Sequence, residues 1–170
     1  MKPKLFVSAS ALGVTEVGVG KKTSGSRHRG ESERSKHWRE LAQKELRAYF
    51  AGRTRRFSTP CDIRALPPFT QAVLRMTAQI PYGHVRSYEW VARRVGKPGA
   101  ARAVGNALGR NPLPIIIPCH RIVRTDGTIG GFALGTGWKK KLLALEKSLV
   151  KSPISRKKKL NLSSHPLSGF

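Results

Sequence analysis

Nine consecutive residues, Ile115-Ile116-Ile117-Pro118-Cys119-His120-Arg121-Ile122-Val123, are apolar at both ends and reactive in the middle. A chain carrying this run has to bury it, because so much branched apolar surface is costly to leave in water. Burial brings a thiol, an imidazole and a guanidinium to the edge of a core, which reads as a pocket. A thiol becomes a strong nucleophile only as thiolate. With His120, Arg121 and Arg124 beside Cys119, the sequence predicts an electropositive site and a depressed thiol pKa. The competing reading is an inert buried cysteine, which is the one that suits Cys61, beside an expected strand and without such neighbours.

Composition narrows the partner. The chain has 170 residues, enough for one domain or one domain with a small appendage. Lys and Arg number 33 against 9 Asp and Glu, a formal charge of +24. That excess exceeds what solubility requires and points to a polyanion, nucleic acid first. No apolar run approaches the roughly 18 residues of a membrane span, and the N-terminus lacks an apolar segment followed by a small-residue cleavage site. A soluble, intracellular protein without a membrane partner is expected. The two cysteines have neither CxxC nor paired Cys/His spacing, so neither a disulfide scaffold nor a structural zinc site is expected.

Along the chain, the apolar pattern from Lys4 to Gly20 predicts two short antiparallel strands. Residues 21–36 read as a flexible loop, His37 to Phe50 as a helix stopped near Gly52, and Arg55 to Ile63 as a third strand. Pro67-Pro68 marks the expected boundary between an N-terminal α/β domain, residues 1–66, and a second domain, residues 67–150. The stripe Phe69, Ala72, Val73, Met76 and Ile80 opens that second domain with a helix. Ser87 is then the expected N-cap of a helix ending at Gly96, and the turn Lys97-Pro98-Gly99 leads into another over Ala100 to Arg110. Two short helices around a tight glycine turn make a helix-turn-helix candidate. Thr136 opens a last helix bearing Trp138, Leu142, Leu145 and Leu149. Residues 151–170 read as a basic disordered tail.

His120 is the candidate base for Cys119. On an extended backbone the two adjacent side chains would point apart, so a bridging water is needed. An orienting carboxylate is also needed. Asp126 suits a turn and Glu89 an exposed helix start, which leaves Glu146, expected half-buried; a surface carboxylate paired with a lysine is an equally good reading of it. The second helix of the candidate pair carries little side-chain bulk in Ala100, Ala101, Ala103, Gly105 and Ala107, with Arg102 standing out. Such a surface could approach phosphates or a narrow groove, or simply pack a hairpin with a solvated arginine. A thiol aimed at a base edge requires an extruded base, and Arg102 could fill the hole left behind.

These residues resemble the O6-alkylguanine-DNA alkyltransferases, the methylated-DNA–protein-cysteine methyltransferase family. The signature Pro118-Cys119-His120-Arg121-Ile122-Val123 carries the similarity. It continues through Ser87-Tyr88, Ala101-Arg102-Ala103-Val104-Gly105, Asn111-Pro112, Gly130-Gly131-Phe132 and Leu142 to Glu146, and more weakly through Tyr49-Phe50-Ala51-Gly52. The resemblance implies an α+β fold: a small N-terminal antiparallel sheet with a helix, a ribonuclease-H-like remnant, joined to a mainly helical, winged-helix-like domain containing the helix-turn-helix. It implies irreversible, single-turnover transfer of an alkyl group from O6-alkylguanine in double-stranded DNA to Cys119. His120 would be the base through water and Glu146 its polarising partner. Asn111 would order the active-site turn, and Tyr88 would donate a hydrogen bond to the leaving guanine. Minor-groove contact falls to Arg102, Ala100, Ala101, Ala103, Gly105, Tyr88, Glu89 and Thr125, and the base pocket to Tyr88, Val123, Phe132 and Ala133. O4-alkylthymine is a second candidate lesion. Phe132 stands where many members carry Tyr, which bears on the alkyl groups accepted. The family's eukaryotic zinc ligands have no match, so the reading implies no cofactor, no metal, a monomer, and a cytoplasmic, nucleoid-associated location, or a nuclear one in a eukaryote.

Three other readings remain. A noncatalytic damage binder would lack the nucleophile that Cys119 supplies. A thiol hydrolase would not need the basic charge or adjacent Cys and His. A helix-turn-helix regulator would have no use for a buried Pro-Cys-His-Arg segment.

Overall fold

The computed structural model describes residues 4–20 and 32–150, the last three as backbone only. It is a mixed α and β structure. Strands β1 (Leu5–Ser10) and β2 (Gly13–Val19) pair antiparallel, with a register shift between Ser8 and Ala9. Gly13 is required at the turn because a Cβ there would lie 2.6 Å from the Pro60 carbonyl oxygen. The third strand expected over Arg55 to Ile63 is not formed. Only a single bridge joins Val14 to Cys61, made by Val14 N–H to the Pro60 carbonyl and Asp62 N–H to the Val14 carbonyl, each 2.8 Å. The Glu45 carboxylate takes the Ser58 and Thr59 amides at 2.9 and 3.1 Å, so those donors are spent on a helix side chain before a ladder can use them.

Helix α1 (Glu33–Phe50) begins earlier than its apolar stripe suggests. The Ser32 hydroxyl accepts the Ser35 amide at 3.1 Å and caps it. Residues 32–36 of the expected loop therefore open the helix, while 21–31 lie outside the described residues. Ala42, Leu46, Tyr49 and Phe50 form its buried face.

Helix α2 (Pro68–Ala78) carries proline in its first turn, where the missing N–H costs nothing. The Ser87 hydroxyl caps α3 (Tyr88–Arg94) by accepting the Trp90 amide at 3.0 Å. The turn Lys97–Gly99 feeds α4 (Ala101–Gly109), whose inner side is Val104, Ala107 and Leu108. Two-residue strands β3 (Arg86–Ser87) and β4 (Ile122–Val123) pair in parallel. They tie the start of α3 to the segment that carries the thiol. Helix α5 (Thr136–Val150) closes the described chain. Leu142 is fully buried there, Trp138 and Leu145 partly so; the Leu149 side chain lies outside the described part.

One cluster of buried apolar residues runs from Val7 to Leu142 and joins all these parts. The stretch between α4 and the thiol is pinned into it. Asn111 accepts the Leu113 amide at 3.0 Å and donates to the Ile117 carbonyl at 3.1 Å. Between them Ile115, fully buried, sits at φ +80°, the one non-glycine positive φ among the described residues. A β-branched side chain there costs on the order of 1–3 kcal/mol, so the loop persists because its ends are held. One of those ends is also held from β2, where Val17 N–H donates to the Pro112 carbonyl at 2.8 Å. Among the described residues, no helix is long and apolar enough to cross a membrane.

Candidate active site

Cys119 starts a short 3₁₀ turn, Cys119–Arg121, rather than lying on the extended backbone expected of it. The Arg121 amide closes the turn onto the Pro118 carbonyl at 2.9 Å. The thiol is 4% exposed and faces a cleft of about 610 Å³ shared with Tyr88, Arg102, Gly105 and Phe132. Asn111 Nδ2 donates to Sγ at 3.1 Å.

The expected depression of the thiol pKa is reversed. Burial pushes Cys119 up to about 11, and the Asn111 hydrogen bond and the Lys139 charge offset only part of that. Neighbouring cations in sequence do not compensate for lost hydration, and Arg121 turns away to another partner. The resting group is a thiol, so a base has to make the thiolate.

His120 supplies the geometry for that base. It is fully buried, and its Nε2 lies 2.8 Å from Glu146 Oε1. Glu146 is itself 1% exposed, neither half-buried nor paired with a lysine. Burial pushes its carboxyl pKa upward, but hydrogen bonds from His120 and Arg121 outweigh that and hold it down at about 2. A carboxylate only accepts, so Nε2 carries the proton and Nδ1 the lone pair. Nδ1 is buried without a hydrogen-bond partner. Burial also holds the imidazole below its ordinary value, opposed by Glu146, which favours the neutral ring whose Nδ1 lone pair is free to accept a proton.

The carboxylate is saturated with donors from distant parts of the chain. Arg121 reaches it through Nε at 3.0 Å and Nη2 at 2.8 Å, the Gly83 amide at 2.9 Å, and the Tyr49 hydroxyl at 2.7 Å. Arg121 Nη1 also donates to the Ile80 carbonyl at 2.6 Å.

The far wall of the cleft is Tyr88, whose hydroxyl lies 3.5 Å from the Gly131 carbonyl. Gly130, at φ +65°, passes so close that a Cβ would come within 2.8 Å of that hydroxyl. Lys139 fastens the same loop from behind. Fully buried on α5, its ammonium donates to the Ile122 carbonyl and to the Gly131 carbonyl at 3.0 Å. Burial brings it down to about 8, with the Cys119 thiolate charge working the other way.

The remaining sequence candidates divide. Ala101, Arg102, Gly105 and Thr125 line the cleft, with Arg102 exposed on its lip. Ala100 is the N-cap of α4, and Ala103 is exposed on the same helix. Neither is among the residues lining the cleft, nor are Val123 on β4 and Ala133, exposed beyond Phe132. Glu89 is half-buried rather than exposed, and its carboxylate accepts from Arg93 and from the Gly99 amide, bracing the turn between α3 and α4. Among the described residues, no group of three or more His, Cys, Asp or Glu is placed to hold a metal ion.

Residues 68–148 match the family model of the 6-O-methylguanine DNA methyltransferase DNA-binding domain. A methylated-DNA–protein-cysteine methyltransferase of Methanosarcina barkeri is 43% identical over 119 residues, covering 68% of this chain and 72% of its own length. The chain belongs to this family. A Mycobacterium bovis methyltransferase is 47% identical over 104 residues, covering 61% of this chain and 62% of the relative. The chain thus spans somewhat under two thirds of that relative's length. Among solved structures, Mycobacterium tuberculosis OGT in complex with DNA superposes with a TM-score of 0.68 at 35% identity, covering 86% of this chain and 94% of that one.

Within this family member, three site residues take places that the sequence does not point to. Lys139 had a signal, since Lys139, Leu142 and Glu146 are spaced three and four apart on one helix face, and Leu142 was expected inside. Arg121, adjacent to the thiol in sequence, serves the Glu146 carboxylate instead. Tyr49 had no local signal, being 97 residues from its partner.

Proposed function

We propose that this chain repairs DNA by moving the alkyl group of O6-alkylguanine onto Cys119, once per molecule. The observation that carries the reading is a buried thiol facing a cleft, held by Asn111, with a neutral imidazole on a carboxylate behind it. In this mechanism His120 Nδ1 takes the thiol proton through a water. The Sγ lone pair then forms a bond to the alkyl carbon as the C–O6 bond breaks. The bonding electrons leave on the guanine, where Tyr88 donates a hydrogen bond to the developing charge and the imidazolium proton balances it. Displacement at saturated carbon suits sulfur, and the thioether product offers no leaving group for a return.

The site roles follow the same reading. Arg102 intercalates as the base is extruded, and small residues Ala100, Ala101, Ala103 and Gly105 let α4 approach the minor groove beside Tyr88, Glu89 and Thr125. Val123, Phe132 and Ala133 border the flipped base. The helices α3 and α4 then act as a helix-turn-helix of a winged-helix-like unit, residues 67–150. The described residues before Pro67 belong to a ribonuclease-H-like remnant; the expected basic tail, residues 151–170, lies outside the described residues. Double-stranded DNA carrying O6-alkylguanine is the partner, in keeping with the charge of +24 and the DNA bound in the mycobacterial structure.

Incubation with a duplex containing O6-methylguanine adds one methyl mass to the peptide bearing Cys119, read by peptide mass mapping. An unmodified peptide with binding intact would favour the damage-binder reading instead. Arg102→Ala slows repair in duplex by about tenfold or more, with a smaller loss on free O6-alkylguanine base, because only the duplex requires base extrusion. Equal losses on the two substrates would remove that role.

A further inference from the structure

We infer that Tyr49, on the N-terminal helix α1, is a positioning residue of the alkyl-transfer site, its hydroxyl fixing the Glu146 carboxylate that serves His120. The inference rests on the function proposed above and adds a part of the chain outside the matched family domain, which begins at residue 68.

The Tyr49 hydroxyl donates to Glu146 Oε1 at 2.7 Å, and His120 Nε2 donates to the same oxygen at 2.8 Å. Arg121 Nη2 is a third donor on that oxygen at 2.8 Å, so its charge is shared three ways and the phenol helps set how strongly it holds the imidazole proton. The arrangement is rigid. Tyr49 is fully buried, with its ring against Phe50, Phe57 and Tyr82 at centroid distances of 5.4, 5.6 and 5.9 Å. Burial and the Glu146 charge both push its own pKa upward, so it remains a donor at every working pH.

The other groups facing the pair are accounted for. Arg121 and Cys119 flank His120 on the 3₁₀ turn, and Lys139 on α5 adds a positive charge that works against the imidazolium. Tyr82 lies between the Arg55 and Arg121 guanidiniums at 5.6 and 5.5 Å from its ring centroid. Its hydroxyl is buried and makes no hydrogen bond, which sets it apart from Tyr49 and makes it the control.

The experiment measures the single-turnover rate of methyl transfer from an O6-methylguanine duplex against pH for wild type, Tyr49→Phe and Tyr82→Phe. Without the phenol, Oε1 becomes the stronger partner for the imidazolium. The acid limb of Tyr49→Phe therefore moves up by about half to one pH unit, and its plateau falls about two- to fivefold as the carboxylate loses its fixed orientation. Tyr82→Phe keeps the wild-type limb. A purely structural tyrosine would not move the limb, so superimposable profiles, or an equal shift in both variants, overturn the inference. A fluorinated tyrosine placed at position 49 alone is a stronger donor of the same shape and moves the limb downward; an unmoved limb there overturns it even where Tyr49→Phe folds poorly. The His120 imidazole titration, followed by ¹⁵N NMR, reads the same shifts without any transfer. Wild type that transfers nothing sinks the proposed function, whereas a Tyr49-independent His120 titration sinks this inference alone.

Discussion

Glu146→Ala is expected to cost about 3–5 kcal/mol of stability, measured by urea denaturation near pH 7, because it strands Arg121 in the interior. In the native chain that guanidinium donates two bonds to the carboxylate and one to Ile80, and only 7% of its side chain is exposed. Removing one partner of a buried ion pair leaves the other charged, without water and without a counter-charge. The same variant loses the acceptor for His120 Nε2, the Gly83 amide and the Tyr49 hydroxyl. The pH dependence has a defined sign. The carboxyl is held at about 2 in the folded chain against an ordinary 4.5, so its stabilisation is fully present above pH 4.5. It is lost as pH falls from about 4.5 towards about 2. Wild type therefore loses stability across that window, and Glu146→Ala shows a flatter profile there. A variant as stable as wild type would mean that Arg121 finds another acceptor.

Cys119→Ser is expected to bind an alkylated duplex with affinity close to wild type while transferring nothing. Serine fits the volume vacated, and its hydroxyl sits where Asn111 Nδ2 already donates. Oxygen is the wrong atom for the chemistry. A hydroxyl is a far weaker acid than even the Cys119 thiol, at about 11, and the His120–Glu146 pair is unable to make an alkoxide from it. Gel-shift titration measures the binding, and intact mass after incubation measures the transfer. Any methyl gained by the variant would place the acceptor elsewhere.

The parts of this structure that local pattern controls were legible in the sequence. Helices α2, α3 and α4 follow their stripes and the Ser87 cap, and the hairpin follows its apolar alternation. The sequence points to Cys119, Asn111, Tyr88 and Glu146, and the fold gathers them around one cleft and one carboxylate. What escaped was decided by tertiary contacts. The third strand gave way to Glu45 taking its amides, and the 3₁₀ turn at Cys119 depends on how the Asn111 loop is clamped. The thiol pKa went the other way because burial outweighs the charges beside it in sequence. Lys139 is a cation inside the protein, which composition assigns to the surface; two carbonyls make its burial tolerable.

The Glu146 carboxylate collects donors from residues 49, 83, 120 and 121 while standing on the last helix. No fragment that starts after residue 49 or stops before residue 146 contains that set. Under the proposed function, the base that serves Cys119 is therefore assembled only once α1 has packed against the last helix, so completing the fold and completing the catalytic relay are a single event.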